Sequence, residues 1–534
     1  MSHNLPFAPI NPVAFPRDSG RERAMLWLGI VLALISALPV IVARYPMMSD
    51  YPAHLARYRV MLDGGANPDL ARHYGFVWQW TGNVGIDLLI GPFAQLFGLE
   101  QAGRVLTGII PPLTGLALVA VSWVLRRRVG IGTLLAMAFV WSPMMLIGLL
   151  NFAAGQALAL WVFAGWVALR RYWWRDSLMV PAGVLVWVFH LSAWAILGVL
   201  VFGYEFSQRR TAANPTGAPW WRAFIAPWPL LGPLVVMALL PGTSGAFSYG
   251  NYWWVYKQAI WLKAMRDTSY ALDFLGLVAV LAAVALATAQ RWIDDRLGWA
   301  ALMLLAMTIA VPRHISGGDY ADYRLVTSGL MVACLAIDWP RAGTVLGVWA
   351  RVGTLAVSAL YLARLAVTTL TWGQGAAQME RYLQALDHIP RGARVASAVV
   401  VDSGRWELNR FEHIGAYAVV RREALSNANF AVANVHMLRI RDASRGFVDP
   451  SHRILQAADR PVDLADFAPA READWLWYVG QRLPDRLPLG AVVVWSAPGT
   501  LIARLAPAVV VPGGANPPPA PEPSAPLAKS AQSH

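Results

Sequence analysis

The chain has 534 residues, of which 57% are hydrophobic and 14% charged; its mean hydropathy is +0.44 and its formal net charge is +13. Soluble proteins carry about 25% charged residues and disordered chains have low hydrophobicity, so both classes are excluded. The single Cys334 has no partner in the chain and rules out a disulfide framework. An α-helical polytopic membrane protein remains. The basic residues cluster between apolar runs, which is an orientation signal before it is a nucleic-acid one.

A helix crossing the hydrocarbon core needs about 20 mostly apolar residues. The first run, 24–43, follows Arg17, Arg21 and Arg23 and lacks a small-residue cleavage site, so it reads as a retained helix. Further runs lie near 104–125, 131–148, 153–170, 178–190, 191–206, 222–240, 270–289, 297–312, 324–338 and 343–371, about eleven spans in all. The pair meeting at His190 is short for two spans, and without it the count falls to nine or ten. With the N-terminus (1–23) cytoplasmic, each inner loop holds arginine: Arg126 to Arg128, Arg170, Arg171 and Arg175, Arg209, Arg210 and Arg222, Arg291 and Arg296, then Arg341. That is the positive-inside pattern. The outer segments are then 44–103, 241–269, 312–323 and everything after 372.

The first outer loop, 44–103, opens with Ser49-Asp50-Tyr51-Pro52-Ala53-His54. Pro52 behind an Asp or Ser cap suits a helix start, and Gly64-Gly65 suits its end. A second helix, 84–97, is apolar but too short to span, and Pro92 fits a kinked or re-entrant element. The region 373–510 has soluble character. It has a helix at 379–389, a buried-strand pattern at 394–401 and a hairpin around Pro498-Gly499, which together describe a small periplasmic α/β domain. From 511 to 534 the chain is Pro-, Ala- and Ser-rich and reads as a tail.

Asp50 and His54 share one helix face at i and i+4. Asp50 reads either as a general base or cation ligand facing outward, or as a helix cap with His54 packed beneath it. The turn 312–324 holds Arg313, Asp319, Asp322 and Arg324. The arginines suit bidentate phosphate binding, the aspartates suit a sugar or those arginines, and a self-paired loop is the alternative. Lys257 lies among the aromatic residues of 249–267, which fit a lipid headgroup or a plain aromatic belt. His190 lies in apolar sequence, where an ionisable group is either functional or bonded to a carbonyl inside the bundle. Arg364 reads as a snorkelling anchor. No phosphate loop, GxGxxG, CxxC pair or HExxH is present.

Several of these features together resemble the GT-C superfamily of polyprenyl-phosphate-sugar-dependent membrane glycosyltransferases, whose bacterial members include mannosyl- and aminoarabinose-transferases. They are Asp50-Tyr51-Pro52-Ala53-His54 after the first span, the short helix 84–97, Gly98 to Arg104 entering the second span, Arg126 to Arg128, and Trp141-Ser142-Pro143. The likeness covers residues 24–372, and the C-terminal domain fits some members. Many members carry two adjacent acidic residues in the first loop, whereas here Ser49 stands beside Asp50. The resemblance implies transfer of a sugar from a polyprenyl-phosphate donor to an envelope lipid, glycan or protein at the outer face of the bacterial inner membrane. It makes Asp50 the base with His54 beside it. Arg313, Arg324 and Lys257 become donor-phosphate candidates, and His190, Asp319 and Asp322 further substrate contacts. A divalent cation, Mg or Mn, would fall to Asp50 if to any residue. A flippase for a lipid-linked intermediate and a non-catalytic envelope scaffold are the rival readings. A transporter usually shows internal repeats, and none is apparent here.

Overall fold

The computed structural model describes residues 19–210, 217–239, 247–315, 317–339, 346–432, 435–441, 447–448 and 450–506. The expected tail 511–534 and Arg341 lie outside the described residues.

The chain is a multi-pass membrane protein. Among the described residues seven helices are long and apolar enough to cross: Gly20–Val42, Leu99–Arg126, Leu150–Ala168, Leu191–Arg210, Trp220–Leu239, Tyr270–Ala289 and Val348–His388. The other four predicted runs are helical but shorter. Arg175–Phe189, Asp295–Ala310 and Ala321–Ala336 have 15, 16 and 16 residues, or about 24 Å of rise against a core of about 30 Å. In the fourth run, the helices Ile131–Ala136 and Pro143–Ile147 are separated, with Pro143 opening the second. The count of eleven is therefore not reached by length among the described residues. At His190 the backbone is extended (φ −163°, ψ 131°), which breaks the predicted pair.

Helix Leu150–Ala168 lies at the centre of the bundle with most of its residues buried. Small residues let neighbours approach, as is usual between membrane helices: a Cβ on Gly115 would lie 2.7 Å from Ala33 Cβ, and one on Gly203 would lie 2.6 Å from Ala300 N. Leu275, Leu281, Leu286, Leu355 and Leu370 stay exposed on the peripheral spans, a lipid-facing surface.

In the first outer loop, helix Tyr51–Asp63 ends at Gly64 in the left-handed region (φ 61°). Helix Gly85–Phe97 carries Pro92 inside it. Strand β1 (Tyr74–Phe76) between them pairs antiparallel with β4 (Leu438–Ile440), which ties this loop to the C-terminal region. The last span continues as one helix, Leu346–Leu383, through residue 373.

The C-terminal domain is a six-stranded mixed sheet of β2 (Arg394–Val401), β3 (Leu425–Ser426), β5 (Arg453–Leu455), β6 (Trp475–Val479), β7 (Val492–Ala497) and β8 (Thr500–Arg504). Its path runs β3-β2-β6-β8-β7, and β5 also pairs with β2. Central β2 is parallel to β3, β5 and β6, and six of its eight residues are buried, as expected of a strand covered on both faces. The predicted hairpin is β7–β8, turning at Gly499 (φ 79°).

Candidate functional site

Helix Tyr51–Asp63 brings three groups into one stripe: Asp50 at its N-cap, His54 at i+4 and Arg57 at i+7, about 10 Å apart end to end along the axis. The Asp50 side chain makes no capping hydrogen bond, so the cap reading of this residue has no support in the geometry. Its backbone N–H instead donates to the Ile147 carbonyl at 2.9 Å. Gly148 lets the two segments meet, because a Cβ there would sit 3.3 Å from both Asp50 Cβ and Tyr51 N. The Asp50 side chain is 18% exposed.

The C-terminal domain covers this helix start. His413 is fully buried, and its Nδ1 lies 3.1 Å from the Ser49 carbonyl and 3.8 Å from Asp50 Oδ1. His54 packs against Tyr58 and Phe430 at centroid distances of 6.3 and 5.4 Å. Burial, reinforced by Arg57, His413 and His436, holds its imidazole well below the usual histidine pKa. His54 is thus neutral, and its buried Nδ1 has no hydrogen-bond partner among the described residues.

Beside this stripe is a cavity of 370 Å³ whose lining includes Arg57, Asn83, His190, Arg324 and His436, with Met307, Val311 and Leu325 on its apolar side. Arg57 is consumed by a buried ion pair with Asp87 at 2.8 Å, and Asn151 donates to the same carboxylate at 3.2 Å. Arg324 differs. It is 8% exposed, its guanidinium makes no ion pair or hydrogen bond among the described residues, and its Nε is buried without a partner. It lies over the Phe152 ring at 5.6 Å. His190 Nδ1 accepts the Ser192 N–H at 3.0 Å, which assigns the imidazole proton to Nε2.

The other predicted charges pair with each other. Lys257 Nζ donates to Asp322 Oδ2 and to the carbonyls of Thr308 and Val311, each at 2.6 Å, so both Lys257 and Asp322 are spent inside the protein. Arg313 holds Asp319 bidentately at 2.7 and 2.8 Å and stacks over Tyr256 at 4.4 Å. Hydrogen bonding to Asp319 raises the Arg313 pKa above its ordinary value. The self-paired reading of the turn therefore describes Arg313 and Asp319 alone, since Asp322 pairs with Lys257 outside the turn, and Ile315, Gly317 and Gly318 of the turn line the cavity. Arg364 is also paired, buried against Asp273 and donating to the Met265 carbonyl at 3.0 Å, so it is no snorkelling anchor.

Sequence reasoning missed Arg57, Glu412, His413 and His452. Arg57 was readable from its spacing to His54; the others come from distant loops and left no local signal. Glu412, His413 and His452 each place one donor atom within 4.8 Å of the others, and Arg453 pairs with Glu412 at 2.6 Å. Two imidazoles and a carboxylate form a donor set for a divalent ion of borderline softness.

No family model matches the chain, and no curated protein matches it either. Among solved structures, ArnT from Cupriavidus metallidurans bound to undecaprenyl phosphate is similar, at 12% identity and a TM-score of 0.46, covering 91% of this chain and 98% of that one. The apo form of the same protein gives a TM-score of 0.48. An Archaeoglobus fulgidus oligosaccharyltransferase in complex with Zn and sulfate is similar at 12% identity and a TM-score of 0.40, covering 76% of this chain and 62% of that one.

Proposed function

We propose that the chain is a membrane glycosyltransferase of the GT-C kind. It would move a sugar from a polyprenyl-phosphate donor to an envelope lipid, glycan or protein at the outer face of the bacterial inner membrane. The observation that carries the reading is Arg324, a buried guanidinium with no ion pair or hydrogen bond among the described residues, lining a cavity beside the stripe that begins at Asp50. An unpaired buried cation is costly, and a ligand phosphate repays that cost through charge-assisted hydrogen bonds. The Nε2–H of His190 supplies a second donor to the same cavity.

In this reaction an acceptor hydroxyl or amine attacks the anomeric carbon as the bond to the phosphate oxygen breaks. Asp50 takes the acceptor proton. Arg324 and His190 stabilise the charge that develops on the departing phosphate. A single displacement inverts the anomeric centre. Neutral His54 packs under the helix start as a positioning residue and not as an acid. Glu412, His413 and His452 are the residues that would hold a divalent cation, and their imidazoles favour Mn or Zn over Mg. Such an ion would supply positive charge near Asp50. The candidate site groups Asp50, His54, Arg57, His190 and Arg324 gather at one end of the bundle, which favours surface chemistry over the flippase reading.

The test is mass spectrometry of envelope lipids, glycans and glycoproteins from a host lacking this gene. The host is complemented with the native chain or with Asp50→Asn at matched membrane levels. A sugar-sized mass that returns with the native chain and stays absent with Asp50→Asn supports the reading. Full restoration by Asp50→Asn contradicts it.

A further inference from the structure

The C-terminal domain holds a second cavity, away from Arg324, that the proposed chemistry does not use. Central β2 has β3 and β5 along one edge and β6 along the other, all parallel to it. The chain leaves β2 towards the β3 side, then crosses to return as β6. The carboxyl ends of β2 and β6 therefore flank a point where the connections diverge, which is where open α/β sheets bind ligands. A cavity of 320 Å³ lies there, touching Val399 and Val400 of β2 and Val479, Gly480 and Gln481 at the end of β6. Its floor is the outer end of the last long helix, from Thr371 to Tyr382, and its wall is the loop 402–411.

The lining specifies the ligand class. Four amides, Gln374, Gln378, Asn409 and Gln481, line the cavity, and the side chains of Gln374 and Gln481 make no hydrogen bond among the described residues. Each amide offers two donors and an acceptor. Asp402 and Glu407 balance Arg405 and Arg410, so the lining has no net charge. Both arginines are occupied: Arg405 pairs with Glu407 at 2.6 Å, and Arg410 donates to Thr268 Oγ1 at 2.8 Å. Tyr382 and Phe411, edge to face at 5.3 Å, add ring surface. A peptide adding as a strand would need an open sheet edge, but here β2 lies between β5 and β6, and β6 lies between β2 and β8.

We propose that this cavity binds a neutral polyhydroxylated ligand, a short glycan segment, through its amides, carboxylates and ring faces. The loop that forms its wall runs on without a break into Glu412 and His413, and His413 Nδ1 lies 3.8 Å from Asp50 Oδ1. If the transferase reading holds, the glycan is part of the acceptor. The binding itself does not depend on that reading.

The experiment uses the full chain in lipid nanodiscs and a panel of neutral hexose and N-acetylhexosamine oligomers, with saturation-transfer NMR and calorimetry as readouts. Inorganic phosphate and a neutral tripeptide are the controls. The inference predicts saturable binding of at least one oligomer, weakened tenfold or more in the Gln374→Ala/Gln481→Ala double variant, and unchanged in Asp50→Asn. Absence of binding across the panel overturns it, as does binding that the double variant leaves intact, or tighter binding of phosphate or peptide. An oligomer that binds while Asp50→Asn restores the envelope in full leaves this site standing and removes the transferase reading.

Discussion

Lys257 and Arg324 are both buried cations at the same end of the bundle, and the protein has provided for them differently. Lys257 is closed in by Asp322 and two carbonyls at 2.6 Å each. Arg324 lies two residues from Asp322 on one helix, yet its guanidinium makes no ion pair or hydrogen bond among the described residues, and it lines a 370 Å³ cavity. Burial alone therefore does not mark a functional charge. A cation satisfied inside the fold holds helices together, whereas one left unsatisfied needs something from outside. Arg57 stands with Lys257 on the satisfied side, held in a buried ion pair with Asp87 at 2.8 Å.

Breaking each side of this contrast should give different results. The largest effect is expected at the proposed base: Asp50→Asn should lower transfer by about 10²–10⁴-fold without changing detergent-extracted yield or melting temperature. Removing the satisfied cation should act on stability. Lys257→Met leaves Asp322 buried and should cost about 3–5 kcal/mol, read as a drop in melting temperature, and Lys257→Met/Asp322→Leu should recover much of it. Arg324→Met removes a buried cation that costs stability, so it should raise the melting temperature of the donor-free protein, and it should weaken donor binding by about 1.5–3 kcal/mol, seen as a raised KM for the lipid donor.

Acid should act through His54. Its pKa is depressed in the folded state, while the unfolded chain titrates near 6.5. The unfolded state therefore takes up the proton first, and stability present above pH 6.5 is lost as pH falls below it. A plot of melting temperature against pH should flatten in His54→Gln. The smallest effect is expected at Arg313→Ala. That pair with Asp319 is about a third exposed and should contribute roughly 0–1 kcal/mol.

Local elements were legible in the sequence because local rules dictate them. Pro52 and Gly64-Gly65 bracket the helix Tyr51–Asp63, the apolar run 394–401 is β2, and Pro498-Gly499 turns the hairpin. The short helices were the limit: 15 or 16 apolar residues read as spans, whereas seven helices among the described residues reach spanning length. The site was legible by halves. Asp50 and His54 share a face by spacing, but the imidazole that meets Asp50 belongs to a loop 364 residues beyond Ser49. Likewise the carboxylate that consumes Lys257 lies 65 residues away. Pairings at such separations arise from packing and leave no periodic trace, so the outer charges all looked equally available.

The most direct measurement is native mass spectrometry of the chain released from membranes, comparing the native protein, Arg324→Met and Lys257→Met/Asp322→Leu. The account predicts a co-purifying lipid-phosphate adduct on the native chain and on the Lys257/Asp322 variant, and its loss from Arg324→Met. An adduct that persists in Arg324→Met, or that disappears with the Lys257–Asp322 pair instead, would contradict it.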